Sequence, residues 1–286
     1  MGITMFQVGK SRWEKGLLTR LLPARLTGRL AALPLRLLGM ALLLGTSGPW
    51  ASELPATIER ITPSVVGIGT YQETRQPRMQ LRGTGFVVAD GRHLLTNSHV
   101  LPDRLNEERR EFLAAFVPKG GSQAQARPAR LVAQDEARDL ALLRIDGQPL
   151  PALRLGDSSA VREGQTIAFT GFPIGAALGL YPATHRGMVA AVAPVVMPAR
   201  SGRELKSGLI RRMRDPYTIF QLDGTAYPGN SGSPMFDPAS GRVLGVINMV
   251  FVKEGRESAL ERPSGISYAI PIDFARELLR KQDLQP

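Results

Sequence analysis

Cysteine is missing from all 286 residues, which excludes disulfides, iron–sulfur clusters, thiolate zinc sites and a cysteine nucleophile. Histidine is nearly as scarce: His93, His99 and His185 are the three present, and no H-E-x-x-H pattern joins them. A metal site is therefore not expected, and no cofactor is implied, since no G-x-x-x-x-G-K-[ST] phosphate loop occurs either. No repeat of roughly 20 to 50 residues is visible, which argues against solenoids and propellers. What remains is 43% hydrophobic and 21% charged, an ordinary globular balance that excludes disordered and collagen-like chains.

Acidic residues are rarest at the N-terminus. The first 50 residues hold seven basic side chains (Lys10, Arg12, Lys15, Arg20, Arg25, Arg29, Arg36) against one acidic, Glu14, so the net charge of +11 falls to +5 for the rest. That modest excess gives no reason to expect nucleic acid as a partner. The uncharged run from Leu37 to Ala51 is shorter than the roughly 20 residues a spanning helix needs. With the basic stretch before it, the run reads as a secretory signal, residues 1–51, cleaved near Ala51 rather than kept as an anchor. Pro49 fits the cleavage position poorly, and an Arg-rich leader also suits a mitochondrial presequence. Low serine content and the distinct apolar core favour export to the periplasm or medium, and no Arg-Arg pair precedes that core.

From Ser52 on, 235 residues remain, a size at which all-β barrels form one domain. Short β-like runs recur: Val65–Ile68, Gly85–Val88, His93–Thr96, Leu140–Ile145, Thr166–Thr170, Met188–Val192, Tyr217–Leu222 and Val243–Val250. Turn signals such as Asp90-Gly91, Asp146-Gly147 and Asp237-Pro238 separate them, so the class is all-β. A C-terminal helix is expected over Phe274–Lys281, capped by Asp273, with Phe274, Leu278 and Leu279 as its apolar stripe. The polar stretches Tyr71–Arg82, Asp103–Arg127 and Ala199–Asp215 read as solvated loops, the last of them strongly basic. Glycines 171, 175 and 179 are spaced like a membrane-helix face, but Pro173 in their midst argues against one.

The most informative segment is Asp223-Gly-Thr-Ala-Tyr-Pro-Gly-Asn-Ser-Gly-Ser-Pro234. A serine between glycines can sit on a tight turn whose backbone N–H groups line an oxyanion hole, here those of Gly229 and Ser231. The G-x-S-x-G elbow of α/β hydrolases would need glycine where Ser233 stands. A nucleophilic serine needs a base and a group that orients the base. His99, just past the strand His93–Thr96, suits a barrel rim. His93 and His185 read as surface or locally bonded side chains. Asp139 opens the apolar strand Leu140–Ile145 and can be buried against His99.

His99, Asp139 and Ser231 run in the order His, Asp, Ser, and with Gly83-Thr-Gly-Phe-Val87, Thr96-Asn-Ser-His-Val100, Asp139-Leu-Ala-Leu-Leu143, Gly171-Phe-Pro-Ile-Gly175, Gly187-Met-Val189, Pro228-Gly-Asn-Ser-Gly232, Gly245-Val-Ile-Asn248 and Ile266-Ser-Tyr-Ala-Ile-Pro271 the sequence resembles the trypsin-like serine proteases, in particular their HtrA/Deg branch. The resemblance runs from about Ile58 to the C-terminus. It implies two six-stranded antiparallel β-barrels of the chymotrypsin kind with a short C-terminal helix, a protease domain over residues 52–286, and hydrolysis of peptide bonds in unfolded or exposed protein segments by the His99-Asp139-Ser231 triad. Two positions depart from the branch: Ser233 replaces a second glycine after the nucleophile, and Ser98 replaces an alanine before the histidine. The Gly-Asn-Ser-Gly-Ser-Pro form is also similar to glutamyl endopeptidases, but the strand after the nucleophile lacks the histidine their specificity implies.

The resemblance further implies a substrate pocket lined by Thr225, Ala226, Tyr227, Asn248, Met249 and Val250. No acid stands at Thr225, so an aliphatic P1 residue is expected. The 55 residues that follow Ser231 leave no room for a PDZ module, and none is expected. Protein or peptide substrates are the expected partners, and an oligomer is compatible with the sequence. The alternative is a non-catalytic peptide-binding protein on the same fold, gripping extended peptides by β-augmentation. A missing triad residue would have favoured it.

Overall fold

The computed structural model describes residues 53–120, 123–173, 180–194, 217–248 and 266–286. The leader, the basic stretch Ala199–Asp215, Met249 and Val250 lie outside these residues, as do glycines 175 and 179.

Twelve strands close into two barrels. The first is built from β1 (Val65–Tyr71), β2 (Met79–Val88), β3 (His93–Thr96), β4 (Phe112–Gly120), β5 (Gln123–Asp135) and β6 (Leu140–Ile145), in the spatial order β1-β2-β3-β6-β5-β4. The second uses β7 (Thr166–Gly171), β8 (Ala183–Pro194), β9 (Thr218–Asp223), β10 (Pro234–Phe236), β11 (Val243–Asn248) and β12 (Ile266–Pro271), in the order β7-β8-β9-β12-β11-β10. Every named strand pair is antiparallel. The two orders are the same topology used twice, although the sequence shows no repeat. Closure leaves neither sheet with an open edge.

The strands follow local composition where that composition is unambiguous. His93–Thr96 and Leu140–Ile145 pair with each other, Leu94 opposite Leu143 and Leu95 opposite Leu142, and bury their leucines completely. The stretch Asp103–Arg127, expected to be a loop, instead carries all of β4 and the start of β5. Leu113–Val117 is buried, and the buried Arg127 donates from Nε to the Asp146 carbonyl at 3.0 Å and from Nη2 to that of Gln148 at 2.9 Å. The guanidinium thereby braces the turn after β6, so polar residues here are structural rather than solvated. The stretch Tyr71–Arg82 is likewise shorter as a loop than expected, since β1 reaches Tyr71 and β2 starts at Met79.

Each barrel has its own interior: Val66, Ile68, Val87, Leu94, Leu143 and others in the first, and Ile167, Phe169, Val189, Leu222, Ile247 and others in the second. A third cluster joins them, with Phe86, Leu95 and Leu142 packed together with Phe236, Val246 and Ile270. Two helices complete it. Helix α1 (Leu54–Ile61) precedes the first barrel but docks on the second, where Arg60 donates to the Ser240 carbonyl at 3.1 Å. Helix α2 (Ile272–Arg280) adds Ile272, Ala275, Leu278 and Leu279. It begins two residues before the expected start, and Asp273 is not its cap. The Ser158 hydroxyl caps it from outside, accepting from the Asp273 N–H at 3.1 Å and donating to its carboxylate at 2.5 Å. Among the described residues no helix is long and apolar enough to cross a membrane.

Candidate active site

His99 sits in a single helical turn, Ser98–Val100, immediately after β3. Asp139 precedes β6, the neighbour of β3, with a left-handed φ of 57°, a conformation aspartate tolerates better than most side chains. Several bonds fix the pair. The Asp139 carbonyl accepts from Asn97 Nδ2 at 3.0 Å and from the Ser98 N–H at 3.2 Å. The Ser98 hydroxyl donates to the Leu140 carbonyl at 2.9 Å, a use for the residue that replaces alanine. Asp139 Oδ1 accepts the His99 backbone N–H at 2.9 Å, and Oδ2 accepts Nδ1 of the ring at 2.6 Å. A carboxylate can only accept, so Nδ1 carries the proton and Nε2 is left as the basic nitrogen. The His99 side chain remains about a third exposed while Asp139 is buried.

A third donor reaches the same carboxylate from the other barrel. Asn248, at the end of β11, is fully buried and donates from Nδ2 to Asp139 Oδ2 at 2.8 Å. The resemblance implied a place for Asn248 in the substrate pocket; its side-chain amide is bonded to the Asp139 carboxylate, a buried ionic acceptor. Ala226, a second pocket candidate, packs into the core of the second barrel with Phe169 and Leu222. Its N–H is bonded to the Ser267 hydroxyl at 2.9 Å. Thr225 and Tyr227 are half-buried.

Ser231 lies on the turn before β10 and reaches across to the first barrel. A β-carbon added at Gly83 would meet Val100 Cγ2 at 2.6 Å and the Ser231 carbonyl oxygen at 2.9 Å, so the serine adjoins the His99 turn. His99 and Ser231 are not hydrogen-bonded to each other here; such contacts are often long before substrate binds. The turn is threaded through two left-handed glycines, Gly229 (φ 101°) and Gly232 (φ 87°). Gly232 has no substitute: a β-carbon there would lie 2.0 Å from the Thr84 carbonyl oxygen. Gly171 likewise leaves the space that Ser233 fills, since its β-carbon would fall 2.0 Å from Ser233 Oγ.

The amides of this turn divide sharply. Asn230 N–H donates to the Tyr227 carbonyl at 2.9 Å, Gly232 N–H to Ile247 at 2.9 Å and Ser233 N–H to Asn230 at 3.0 Å. The N–H groups of Gly229 and Ser231 find no acceptor among the described residues. A trans peptide points its N–H opposite to its carbonyl. With the Asn230 carbonyl held inward by Ser233, Ser231 N–H is directed out of the turn. Free backbone donors beside a serine are what an anionic oxygen on a tetrahedral carbon requires.

The remaining histidines are elsewhere. His93 is buried and bonded through Nδ1 to Asp90 at 2.7 Å. His185, read from sequence as a surface or locally bonded side chain, stacks on Phe169 at 5.0 Å and tilts against Tyr227 at 5.8 Å. Burial lowers its pKa. Its place beside the Tyr227 segment was invisible in the sequence, because it arises from the pairing of β8 with β7, His185 opposite Phe169.

A family model of the trypsin-like peptidase domain matches residues 83–246. The "Probable periplasmic serine endoprotease DegP-like" of Pseudomonas putida (strain W619) is 32% identical over 202 residues, covering 70% of this chain and 34% of the relative. The protein of the same description from Pseudomonas fluorescens (strain Pf-5) is 32% identical over 205 residues, 71% of this chain and 35% of its own. The chain thus spans about a third of the length of the curated relatives it matches. Among solved structures, the HtrA-type protease AlgW with tripeptide aligns with a TM-score of 0.57 at 26% identity, covering 80% of this chain and 62% of that one. A match that begins within β2 and extends past Ser231 takes in His99, Asp139 and Ser231, and by it this chain belongs to the trypsin-like peptidase family, among relatives of the HtrA/DegP type.

Proposed function

We propose that this chain is a serine endopeptidase that cleaves unfolded or exposed protein segments. The observation that carries the reading is the His99–Asp139 pair at 2.6 Å next to a serine turn whose Gly229 and Ser231 N–H groups lack acceptors among the described residues. Ser231 Oγ attacks the scissile carbonyl as His99 Nε2 takes its proton, and the carbonyl oxygen becomes an anion between the two free amides. Collapse expels the amine, which receives that proton from His99. Water, deprotonated by the same nitrogen, then hydrolyses the acyl-enzyme and restores Ser231. Asp139 keeps the imidazole in one tautomer and compensates its transient positive charge. A non-catalytic peptide binder would need neither the ordered imidazole nor the free donors.

Neither Thr225 nor Tyr227, in the expected pocket, carries a charge, so a charged P1 group would find no partner on them, and leaving it unpaired costs about 1–3 kcal/mol or more. An aliphatic P1 residue is the preferred substrate. Residues 52–286 form the protease domain and residues 1–51 its export signal, a reading supported by the periplasmic descriptions of the relatives.

Labelling with a fluorophosphonate probe tests the chemistry. Wild-type protein should be modified at Ser231 and degrade casein, whereas Ser231→Ala should do neither and still fold. Casein turnover by folded Ser231→Ala would refute the assignment. Peptide-library cleavage tests the pocket: dominant Arg, Lys or Glu at P1 would show that it is wrongly placed. N-terminal sequencing of protein from its native host tests the leader, with a mature start near residue 52 expected.

A further inference from the structure

The oxyanion turn belongs to the second barrel, yet what holds it is a threonine of the first. Thr84, in the middle of β2, is fully buried. Its N–H donates to the Ser231 carbonyl at 2.8 Å, and its hydroxyl donates to the Gly229 carbonyl at 2.7 Å. The hydroxyl also accepts the Phe172 N–H at 3.1 Å, just beyond β7. The Thr84 carbonyl in turn accepts the Thr96 hydroxyl at 2.7 Å, so the threonine is itself anchored to β3, the strand that leads to His99.

Glycine rotates about φ and ψ more freely than any other residue. Gly229, at φ 101°, is therefore the joint at which the oxyanion hole would collapse if nothing fixed its peptide planes. The Gly229–Asn230 peptide is clamped at both ends: its oxygen lies on the Thr84 hydroxyl and its N–H on the Tyr227 carbonyl. The Ser231–Gly232 peptide is clamped likewise, by the Thr84 N–H and the Ile247 carbonyl. These two planes bracket the peptide that carries the Ser231 N–H, and the first of them fixes one side of the Gly229 α-carbon. Fixing them aims the Ser231 N–H and limits the Gly229 N–H to rotation about its own α-carbon.

We infer that Thr84 is a positioning residue for the oxyanion hole, its hydroxyl setting the Gly229 peptide from the opposite barrel. This rests on the acyl-transfer reading above. Because the hydroxyl acts on the donors and not on the pocket, it serves the transition state and leaves ground-state peptide binding alone. It is not hydrogen-bonded to the Ser231 hydroxyl or the His99 imidazole.

Thr84→Val keeps the shape and removes the hydroxyl, whereas Thr84→Ser keeps the hydroxyl and removes a methyl group. Thr84→Val should lower kcat by about 10²-fold, comparable to losing one oxyanion donor, with KM little changed. Its affinity for a peptidyl boronate, which presents a tetrahedral anionic centre, should fall by a similar factor. Peptide affinity measured in the Ser231→Ala background should not change. Thr84→Ser should retain near wild-type values in all three. Should the valine variant not fold, Thr84→Ala carries the same prediction. Equal losses in the serine and valine variants, or wild-type boronate affinity in the valine variant, would overturn the role, as would failure of both hydroxyl-free variants to fold. If wild-type protein itself is not labelled by a fluorophosphonate, the acyl-transfer reading has failed. If it is labelled and Thr84→Val reacts at the same rate, only the role of Thr84 has.

Discussion

The two halves of the site are built differently. In the first barrel the proposed base and its carboxylate are held by side chains: Asn97, Ser98 and the His99 ring all bond to Asp139 or its neighbour Leu140. In the second barrel the turn of the proposed nucleophile is held almost wholly through its backbone, by Thr84, Tyr227 and Ile247 and by two left-handed glycines. The base must keep one tautomer and one orientation, which directional side-chain bonds achieve. The nucleophile turn must leave two backbone donors unpaired, which is possible only if its other amides are satisfied elsewhere. Each half also borrows one group across the interface, Asn248 for the carboxylate and Thr84 for the turn.

The sharpest break falls on the side-chain half. Asp139→Asn keeps the shape but offers Nδ1 a donor as readily as an acceptor, so the imidazole can settle in the wrong tautomer. A fall in kcat of about 10⁴-fold is expected, with the thermal midpoint moving far less than that factor suggests. Casein or peptide turnover near the wild-type rate would contradict the pairing.

The backbone half should break by strain instead. Gly232→Ala forces a side chain onto a φ of 87° and against a backbone oxygen 2.0 Å away. The strain alone costs about 1–3 kcal/mol, and the clash adds to it, because Thr84 is tied into β2 and cannot retreat. Chemical denaturation should show a lower midpoint together with lost fluorophosphonate labelling. A stable variant that labels normally would mean the turn is more pliant than its geometry implies.

Between these lies the bond that crosses back. Asn248→Leu removes one of three donors on a buried carboxylate, a bond to a charged group worth about 1.5–3 kcal/mol. The expected loss in kcat is about 10- to 100-fold, well short of Asp139→Asn since both His99 contacts remain. The nuclear magnetic resonance signal of the His99 Nδ1 proton should shift as well. An unchanged signal with unchanged kcat would leave Asn248 as packing alone.

How much of this could be read from the chain depends on where the information lies. His93–Thr96 and Leu140–Ile145 were legible to the residue because a short leucine-rich run between turn signals has few other uses. Strand β4 was not: Ala114 and Ala115 weaken its β-signal, and the charged stretch Asn106–Glu111 before it reads as loop. The alternation of β5 is carried by glutamines and arginines such as Arg127, whose burial is compensated by carbonyls distant in sequence. The same holds at the site. The order of His99, Asp139 and Ser231 was visible, and the motifs around them carried the resemblance. Thr84 and Asn97 are ordinary residues until the fold supplies their partners, and for Asn248 the resemblance implies a pocket strand but not the direction of its amide.

The smallest effect is expected at His185, which belongs to neither half of the site yet touches the segment leading to the nucleophile. Its ring is stacked on Phe169 and tilted against Tyr227, and burial lowers its pKa in the folded protein. In the unfolded chain the imidazole titrates near its ordinary value of about 6.5. The unfolded state therefore binds a proton more readily, and stability due to the neutral ring is fully present above that pH and is lost as pH falls through it toward the lower folded value. Thermal midpoints of wild-type protein should decline across this acid window. In His185→Phe, which keeps the stack without a titratable nitrogen, the decline should be shallower, with the two proteins differing least above neutral pH. Parallel declines in both proteins would place the acid sensitivity elsewhere and show that the stack is indifferent to charge.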